Sequence, residues 1–182
     1  MISNAVKMLF LFTLGVSSVS LAVYLPPKTI PANELQKTIR VMAYNVENLF
    51  DTTHDQGKND YEFLPKNHPE KIKYCQTKPD PKTCLSEDWT QSRFSQKLVQ
   101  IRNVFAAIPG GFPQIMGLIE IENEKVVKQL ASVLGFKGQV TANGPDERGI
   151  DVALMYNESA ILKFVNANAI RLDQSKLGKH TR

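Results

Sequence analysis

The sequence predicts a mixed α/β (α+β) protein, and three observations support this class. A short apolar strand is predicted at residues 38–47. Apolar residues then recur at helical spacing from Phe94 to Ile108, and a near-continuous apolar run follows at 113–121. Further helix and strand signals come after that run. Alternating strands and helices followed by consecutive strands indicate helices layered on a sheet.

The first 22 residues have the features of a secretory signal peptide. Lys7 precedes an apolar run that begins at Met8, and Ser20 and Ala22 satisfy the small-residue rule for cleavage after Ala22. A retained membrane anchor is the alternative, because the run reaches about 18 residues. Residues 23–37 contain three prolines and are interpreted as a linker. We therefore expect export to the periplasm or the medium, with no stable membrane span after cleavage.

Composition and cysteine usage limit the partners and the redox state. The chain has 182 residues and a net charge of +4, which suits a phosphate-bearing partner without requiring nucleic acid. Cys75 and Cys84 enclose a short polar segment, and export favours a disulfide between them. Zinc is the weaker alternative, because no histidines accompany the pair.

Beyond the first strand, the pattern predicts each element in turn. Residues 48–88 form a long polar excursion, a kind of loop that is usually functional or tied down. One helix follows from Phe94, and the apolar run at 113–121 is typical of a strand covered on both faces. Asn123 is placed to cap a second helix that ends before Gly135. Three further strands are predicted, near residues 137–142, 150–156 and 161–165.

Polar residues at two strand ends are candidates for a cation site. Asn45 and Glu47 lie two apart and share a face, so an amide oxygen and a carboxylate can converge on a hard cation such as Mg²⁺. A solvated strand end is the alternative. Glu120 lies between isoleucines, where a buried lone carboxylate must either emerge or be neutralised. Glu122 is expected to be a solvated strand end.

A third candidate precedes the strand at 150–156. Arg148 can present its fork of donors to phosphate oxygens, and Asp151 follows closely. The alternative is a surface hairpin whose arginine and aspartate pair with each other, which contributes little to stability.

Three motifs, AYNVENLFD, GLIEIEN and ERGIDVALMYN, occur in this order. Together they resemble the endonuclease/exonuclease/phosphatase superfamily, whose fold is that of deoxyribonuclease I, over residues 39 to about 172. The resemblance implies a four-layer αββα sandwich built from two similar halves, of which residues 38–182 match the N-terminal part. The later motifs, including the Asp-His pair that supplies the general base, have no counterpart here. A completing chain or C-terminal half is therefore expected.

The resemblance also implies roles for individual residues. Asn45 and Glu120 match the catalytic positions that orient and ligate a divalent metal, Mg²⁺ or else Mn²⁺ or Ca²⁺, and Glu47 matches a supporting acidic position. Arg148 matches a contact to the substrate phosphate, whereas Asp151 is expected to be structural. Ile119 departs from the family, where many members have glutamine, which implies a lost hydrogen bond near the metal. The acidic loop at residues 50–63, FDTTHDQGKNDYEF, matches a characteristic loop of bacterial secreted members without an assigned role, and it includes His54, Asp55 and Asp60.

The implied reaction is metal-dependent phosphoester hydrolysis, with a nuclease-like substrate preferred. One alternative is a phospholipid or phosphomonoester phosphatase of the same fold. The other is a non-catalytic, truncated remnant, because the family's C-terminal catalytic motifs have no counterpart in the sequence. The histidines, His54, His68 and His180, lie in polar segments and none matches the family's catalytic position.

Overall fold

A computed structural model describes residues 38–168. The predicted signal peptide at 1–22, the linker at 23–37 and His180 lie outside the described residues. Within residues 38–168 no helix is long and apolar enough to cross a membrane.

One four-stranded mixed sheet organises the described chain. Its strands are β1 (Val41–Leu49), β2 (Ile115–Ile121), β3 (Gly138–Ala142) and β4 (Asp151–Tyr156), in the spatial order β1-β2-β4-β3. β1 and β2 are parallel, whereas β2 and β3 both pair with β4 in antiparallel fashion. The mixed α/β class predicted from the sequence is confirmed.

Four α-helices accompany the sheet within residues 38–168. They are α1 (Pro69–Gln76), α2 (Pro81–Ser86), α3 (Gln91–Ala106) and α4 (Glu124–Leu134), and a short 3₁₀ helix spans Tyr61–Phe63. A parallel strand pair requires a crossover connection, and α3 lies within the connection between β1 and β2. Both long helices begin at a capping side chain, of which the sequence predicted Asn123. The Thr90 hydroxyl accepts the N–H of Arg93, and Asn123 Oδ1 accepts the N–H of Val126 at 3.0 Å.

The core lies between the sheet and helices α3 and α4. The apolar stripe predicted for α3 is buried from Phe94 to Phe105. Alternate residues of β2 and β4 face it, including Met116, Leu118 and Met155. These buried residues show which face of the sheet packs against the helices. The residues between them in each strand point to the opposite face.

The opposite face of the sheet is apolar and exposed. Val41, Ile119 and Val152 are 66%, 45% and 53% accessible, and Leu154 is also exposed. The strand register places these side chains on the same face of β1, β2 and β4, with Ile119 directly opposite Val152. The prediction that the run at 113–121 is covered on both faces was therefore wrong for residues 38–168, because only one face of β2 carries helices there.

The strand predicted near 161–165 is not formed. A tight turn closes there instead, with one isolated bridge between Ser159 and Leu162. The Glu158 carboxylate accepts the backbone N–H of Phe164 at 3.2 Å, and Lys163 pairs with the same side chain at 3.3 Å. Such local side-chain bonds to the backbone compete with strand pairing.

The excursion at 48–88 is folded rather than an open loop. Prolines at the first positions of α1 and α2 favour helix initiation, and Asp80 caps α2 by accepting from Lys82 and Thr83. Lys71 is fully buried, and its ammonium donates to the carbonyl oxygens of three residues, Glu62, Leu64 and Glu87. The predicted disulfide joins Cys75 to Cys84 and ties α1 to α2. These contacts compensate for the segment's few apolar residues.

Removing this disulfide should destabilise the protein moderately. The bridge closes a loop with a sequence separation of 9 residues. A loop of that size implies a loss of about 2.5 kcal/mol in the free energy of unfolding for a Cys75→Ser/Cys84→Ser variant. Urea denaturation of wild type with and without reductant provides the control, because reduction should reproduce the effect of the double substitution. Equal midpoints for oxidised and reduced protein would contradict a stabilising role.

Candidate functional site

The candidate residues meet where β1 and β2 end side by side. Asn45 is paired with Ile119 in the parallel register, and Glu120 is the next residue of β2. Regular pairing stops there and resumes only at Leu49 opposite Ile121, so three residues of β1 lie opposite a single residue of β2. This irregularity is a bulge, a feature that commonly redirects a side chain.

Backbone conformation marks the same point in both strands. Glu47, Asn48 and Glu120 have φ values of 54°, 58° and 65°, and no other non-glycine residue among residues 38–168 has positive φ. Each such residue costs on the order of 1–2 kcal/mol relative to ordinary strand geometry. Their concentration at one strand end shows that the surrounding structure imposes this conformation.

The bulge determines the exposure of Glu120. With regular alternation, Glu120 would point to the same face as the buried Leu118. The left-handed conformation instead places Ile121 in the core and leaves Glu120 partly accessible. The Glu120 carboxylate therefore emerges at the strand end and is not buried among the neighbouring isoleucines.

Polar groups of β1 complete this strand end. Asn45 and Glu47 are exposed, and Asn45 Oδ1 accepts the backbone N–H of Glu47 at 2.7 Å. Asn48 Oδ1 is buried and has no hydrogen-bond partner among residues 38–168. Lys97 of α3 reaches over from the helix, and its Nζ donates to the carbonyl oxygens of Glu47 and Asn48, the latter at 3.3 Å.

The two carboxylates influence Lys97 without contacting it as ion pairs. Burial lowers the pKa of Lys97, and the negative charges of Glu47 and Glu120 act in the opposite direction. Within residues 38–168, no salt bridge involves Glu47 or Glu120. Both carboxylates therefore act on the same lysine, and neither is engaged in an ion pair in the described part of the chain.

The donor set fits a hard divalent ion. It comprises the carboxylates of Glu47 and Glu120 and the amide oxygen of Asn45, with the unpartnered Asn48 oxygen nearby in sequence. No group of three or more His, Cys, Asp or Glu side chains within the described part of the chain could hold a metal. Magnesium suits such a sparse site, because it binds through one or two carboxylates and retains several waters.

The third motif lies on the other side of β2. Asp151, the first residue of β4, is paired with Ile121, immediately after Glu120. Asp151 is buried and its Oδ1 accepts the N–H of Gly144 at 2.6 Å, while burial raises the pKa of the carboxyl and that hydrogen bond opposes the rise. Arg148 pairs with Asp146, both contacts being 3.3 Å, and its head is half exposed. Arg148 and Asp151 do not pair with each other.

A comparison with models of protein families identifies the family of this chain. The sequence profile described as "Endonuclease/Exonuclease/phosphatase family" matches residues 40–182. The chain belongs to this family. No curated protein and no solved structure was found to match it. Family membership implies a deoxyribonuclease I-like fold, a phosphoester substrate and a divalent metal.

The acidic loop at 50–63 is tied to the end of β2 by a buried carboxyl. Glu122 is only 2% accessible, so the expectation of a solvated strand end was wrong. Its Oε2 accepts the N–H of Asp51 at 2.8 Å, and Asp51 pairs with Lys125 at 2.7 Å. Burial raises the pKa of Glu122 to about 8, and the negative charges of Asp51, Asp55 and Asp60 add to the rise, while the Asp51 N–H opposes it.

The signature residues of this loop hold its shape. Asp60 is almost fully buried, bonds to His54 Nδ1 and accepts the N–H of Asp55 at 2.8 Å. Asp55 in turn accepts from Asn123 Nδ2 at 3.1 Å. The His54 ring stacks on Tyr61 at 4.5 Å and lies on the wall of a cleft of about 290 Å³. The structure thus places His54, Asp55 and Asp60 in contacts that hold the loop together and join it to the N-cap of α4.

The acidic loop also contacts the segment that carries Arg148. The N–H of Asn59 donates to the carbonyl of Glu147 at 2.8 Å, and Lys58 Nζ donates to the carbonyl of Asp146 at 3.2 Å. Sequence reasoning did not identify Lys58 or Lys97 as contributors to the site. Their acceptors are backbone carbonyls 88 and 49–50 residues away, and no sequence pattern signals such contacts.

Proposed function

We propose that this chain is part of an exported, metal-dependent phosphoester hydrolase with nuclease-like activity. The observation that carries the proposal is the convergence of the three family motifs at one end of the sheet. Asn45 lies opposite Ile119, Glu120 follows, and Asp151 lies opposite Ile121. Amide and carboxylate oxygens and an arginine-bearing loop are the groups that a metal-assisted phosphoester site requires.

Each residue has a distinct role in this proposal. Glu120 and Asn45 hold a divalent ion, Mg²⁺ or else Mn²⁺ or Ca²⁺, and Glu47 supports them. A bound ion of this kind supplies a Lewis acid for phosphoryl oxygens. Arg148 binds the substrate phosphate after leaving its exposed partner Asp146. The guanidinium can donate two parallel hydrogen bonds to phosphate oxygens. Asp151 keeps the Arg148 loop in place through Gly144.

The exposed sheet face indicates what completes the catalytic unit. Its apolar side chains form one continuous surface across β1, β2 and β4. An apolar sheet face of this kind is stable when another layer covers it. We propose that a second sheet packs there, supplied by a completing C-terminal half or by a separate chain, as the two-sheet family fold implies. Full hydrolytic activity depends on that second sheet.

Two alternative functions use the same residues differently. A phospholipid or phosphomonoester phosphatase would have the same metal site but a different substrate cleft. Binding that weakens steeply with salt favours nucleic acid, because phosphate contacts release counterions. A non-catalytic remnant would retain the fold without metal binding. The net charge of +4 is compatible with all three.

Metal binding tests the proposal directly. We expect the wild-type chain to bind Mn²⁺, and Glu120→Gln to weaken that binding by at least about tenfold. Isothermal titration calorimetry gives the affinity, and Glu124→Gln is the matched control, because Glu124 is exposed and pairs only with Lys128 among residues 38–168. Failure of the wild type to bind Mn²⁺, or equal binding by Glu120→Gln, would contradict the proposed site.

A hydrolysis assay then separates the substrate classes. Mg²⁺-dependent cleavage of DNA or RNA by the chain together with its completing half, abolished by Glu120→Gln, would support a nuclease. Cleavage of a phosphomonoester or phospholipid, with nucleic acid left intact, would instead support the phosphatase function.

A further inference from the structure

Helix α3 places a lysine against the strand end that carries the candidate metal ligands. Lys97 is half-buried, and its neighbour Leu98 anchors the helix in the core. Its Nζ donates to the carbonyl oxygens of Glu47 and Asn48. The ammonium also lies 5.6 Å from the ring centre of Trp89, a cation–π contact. Lys97 is therefore fixed by contacts on more than one side.

The two carbonyl acceptors belong to residues in the left-handed region. Glu47 and Asn48 have φ values of 54° and 58°, and residues 46–48 have no paired residue in β2. A β-bulge leaves such groups without ladder partners, so they need another donor. Lys97 supplies that donor to both carbonyls at once. An ammonium suits the task, since it has three donors and no acceptor.

The contact leaves the carboxylates free. Lys97 bonds to the backbone of Glu47, not to its side chain, and no ion pair joins it to Glu120 among residues 38–168. Its positive charge nevertheless lies within the field of both. A lysine that neutralised the site would pair with the carboxylates, whereas this one holds the backbone that carries them.

We infer that Lys97 is a positioning residue that holds the end of β1 so that Asn45 and Glu47 face the divalent ion next to Glu120. This inference rests on the proposed function. Lys97 acts through the backbone of Glu47 and Asn48 and does not contact substrate or metal. Groups that orient metal ligands from outside the ligand shell typically contribute about 10–100-fold to metal affinity.

Mn²⁺ titration of three variants tests the inference. We expect Lys97→Met to weaken Mn²⁺ binding by about tenfold, because methionine keeps the length of the side chain and removes the donors. Lys97→Arg should restore most of the affinity, since its guanidinium can donate to the same carbonyls. Arg102→Met is the matched control, an exposed position on the same helix with the same loss of charge. Its affinity should equal that of wild type.

A second measurement, made in metal-free buffer, reports on the stability of the backbone at the end of β1. Hydrogen exchange at the Glu47 amide, which donates to Asn45 Oδ1, should be faster in Lys97→Met than in Arg102→Met. A merely structural lysine would speed exchange and lower the melting temperature without changing Mn²⁺ affinity, and that result would overturn the inference.

The outcomes separate this inference from the function on which it rests. Wild-type binding that is lost in Glu120→Gln but unchanged in Lys97→Met would overturn the role of Lys97 alone. No Mn²⁺ binding by the wild-type chain would overturn both. The positioning role would be established if Mn²⁺ binding is weakened in Lys97→Met, is restored in Lys97→Arg and is unchanged in Arg102→Met.

Discussion

Replacing Glu122 with glutamine should make the metal-free protein more stable than wild type by roughly 4 kcal/mol above pH 8. Glu122 is buried beneath the acidic loop, and burial raises the pKa of its carboxyl from the ordinary 4.5 to about 8. A pKa difference of that size corresponds to roughly 4–5 kcal/mol between the protonated and ionised forms. Glutamine removes the charge and keeps an oxygen that can accept the N–H of Asp51.

The direction with pH follows from proton linkage. The folded protein holds the Glu122 proton more tightly than the unfolded chain does, so protonation favours folding. Stability from this group is fully present below about pH 4.5 and is lost progressively as the pH rises through about 8. Glutamine has no proton to lose, so the variant lacks this part of the pH dependence. The difference between variant and wild type should therefore grow between pH 4.5 and 8.

Urea denaturation in EDTA buffer from pH 4.5 to 9 measures this difference. Glu124→Gln is the control, because it removes an exposed carboxylate at the start of α4 and should change the stability by less than about 0.5 kcal/mol. A Glu122→Gln variant that is less stable than wild type throughout the range would show that the Asp51 amide stabilises an ionised carboxylate. That result would reverse the assignment of Glu122 as a buried, neutral group.

Apolar periodicity was sufficient to predict the elements of the core. The helical stripe beginning at Phe94, the cap at Asn123 and the end of α4 at Gly135 all depend on local chemistry. Gly135 has a φ of 79°, a conformation that glycine adopts without strain. Because spacing and capping act within a few residues, the sequence displays them directly. The two long helices and the four strands of the sheet were therefore predictable, whereas the strand predicted near residues 161–165 is not formed.

The local shape of the site was not predictable in the same way. The motif GLIEIEN reads as plain alternation, which gives Glu120 and Glu122 the same face. The structure instead exposes Glu120 through a left-handed conformation and buries Glu122 against Asp51. This conformation accompanies the bulge at which three residues of β1 lie opposite one residue of β2. The bulge is a tertiary effect, because it depends on the pairing of two strands that are distant in sequence. Lys97 was missed for a related reason, since its acceptors are 49–50 residues away in the sequence.

The polar excursion shows a third reason for a missed element. Its composition suggested a loop, because few apolar residues mark a helical face. Proline at the start of α1 and α2, the Cys75–Cys84 bridge and the buried ammonium of Lys71 replace an apolar core there. The spacing of apolar residues does not signal a buried lysine that donates to three carbonyls. Of these contacts, the sequence predicted only the disulfide.

Phe105→Ala should destabilise the protein by about 4 kcal/mol, through the loss of a fully buried ring at the end of α3. Removing the ring forfeits its transfer free energy and leaves a cavity that the sheet fills only in part. The ring also meets Tyr44 edge-on, with centroids 4.9 Å apart and planes at 71°. An aromatic pair of this geometry adds about 0.5–1.5 kcal/mol beyond its buried area.

The position of Tyr44 connects this packing defect to the site. Tyr44 directly precedes Asn45 on β1, so its loosened ring should also speed hydrogen exchange at the Glu47 amide. Urea denaturation measures the loss, with Val99→Ala on the exposed side of α3 as a control that should change stability by less than about 0.5 kcal/mol. Phe105→Leu should recover most of the stability, because leucine refills the cavity. A loss for Phe105→Ala as small as that of Val99→Ala would mean that α3 does not pack against β1, and the placement of Lys97 beside the metal ligands would fail with it.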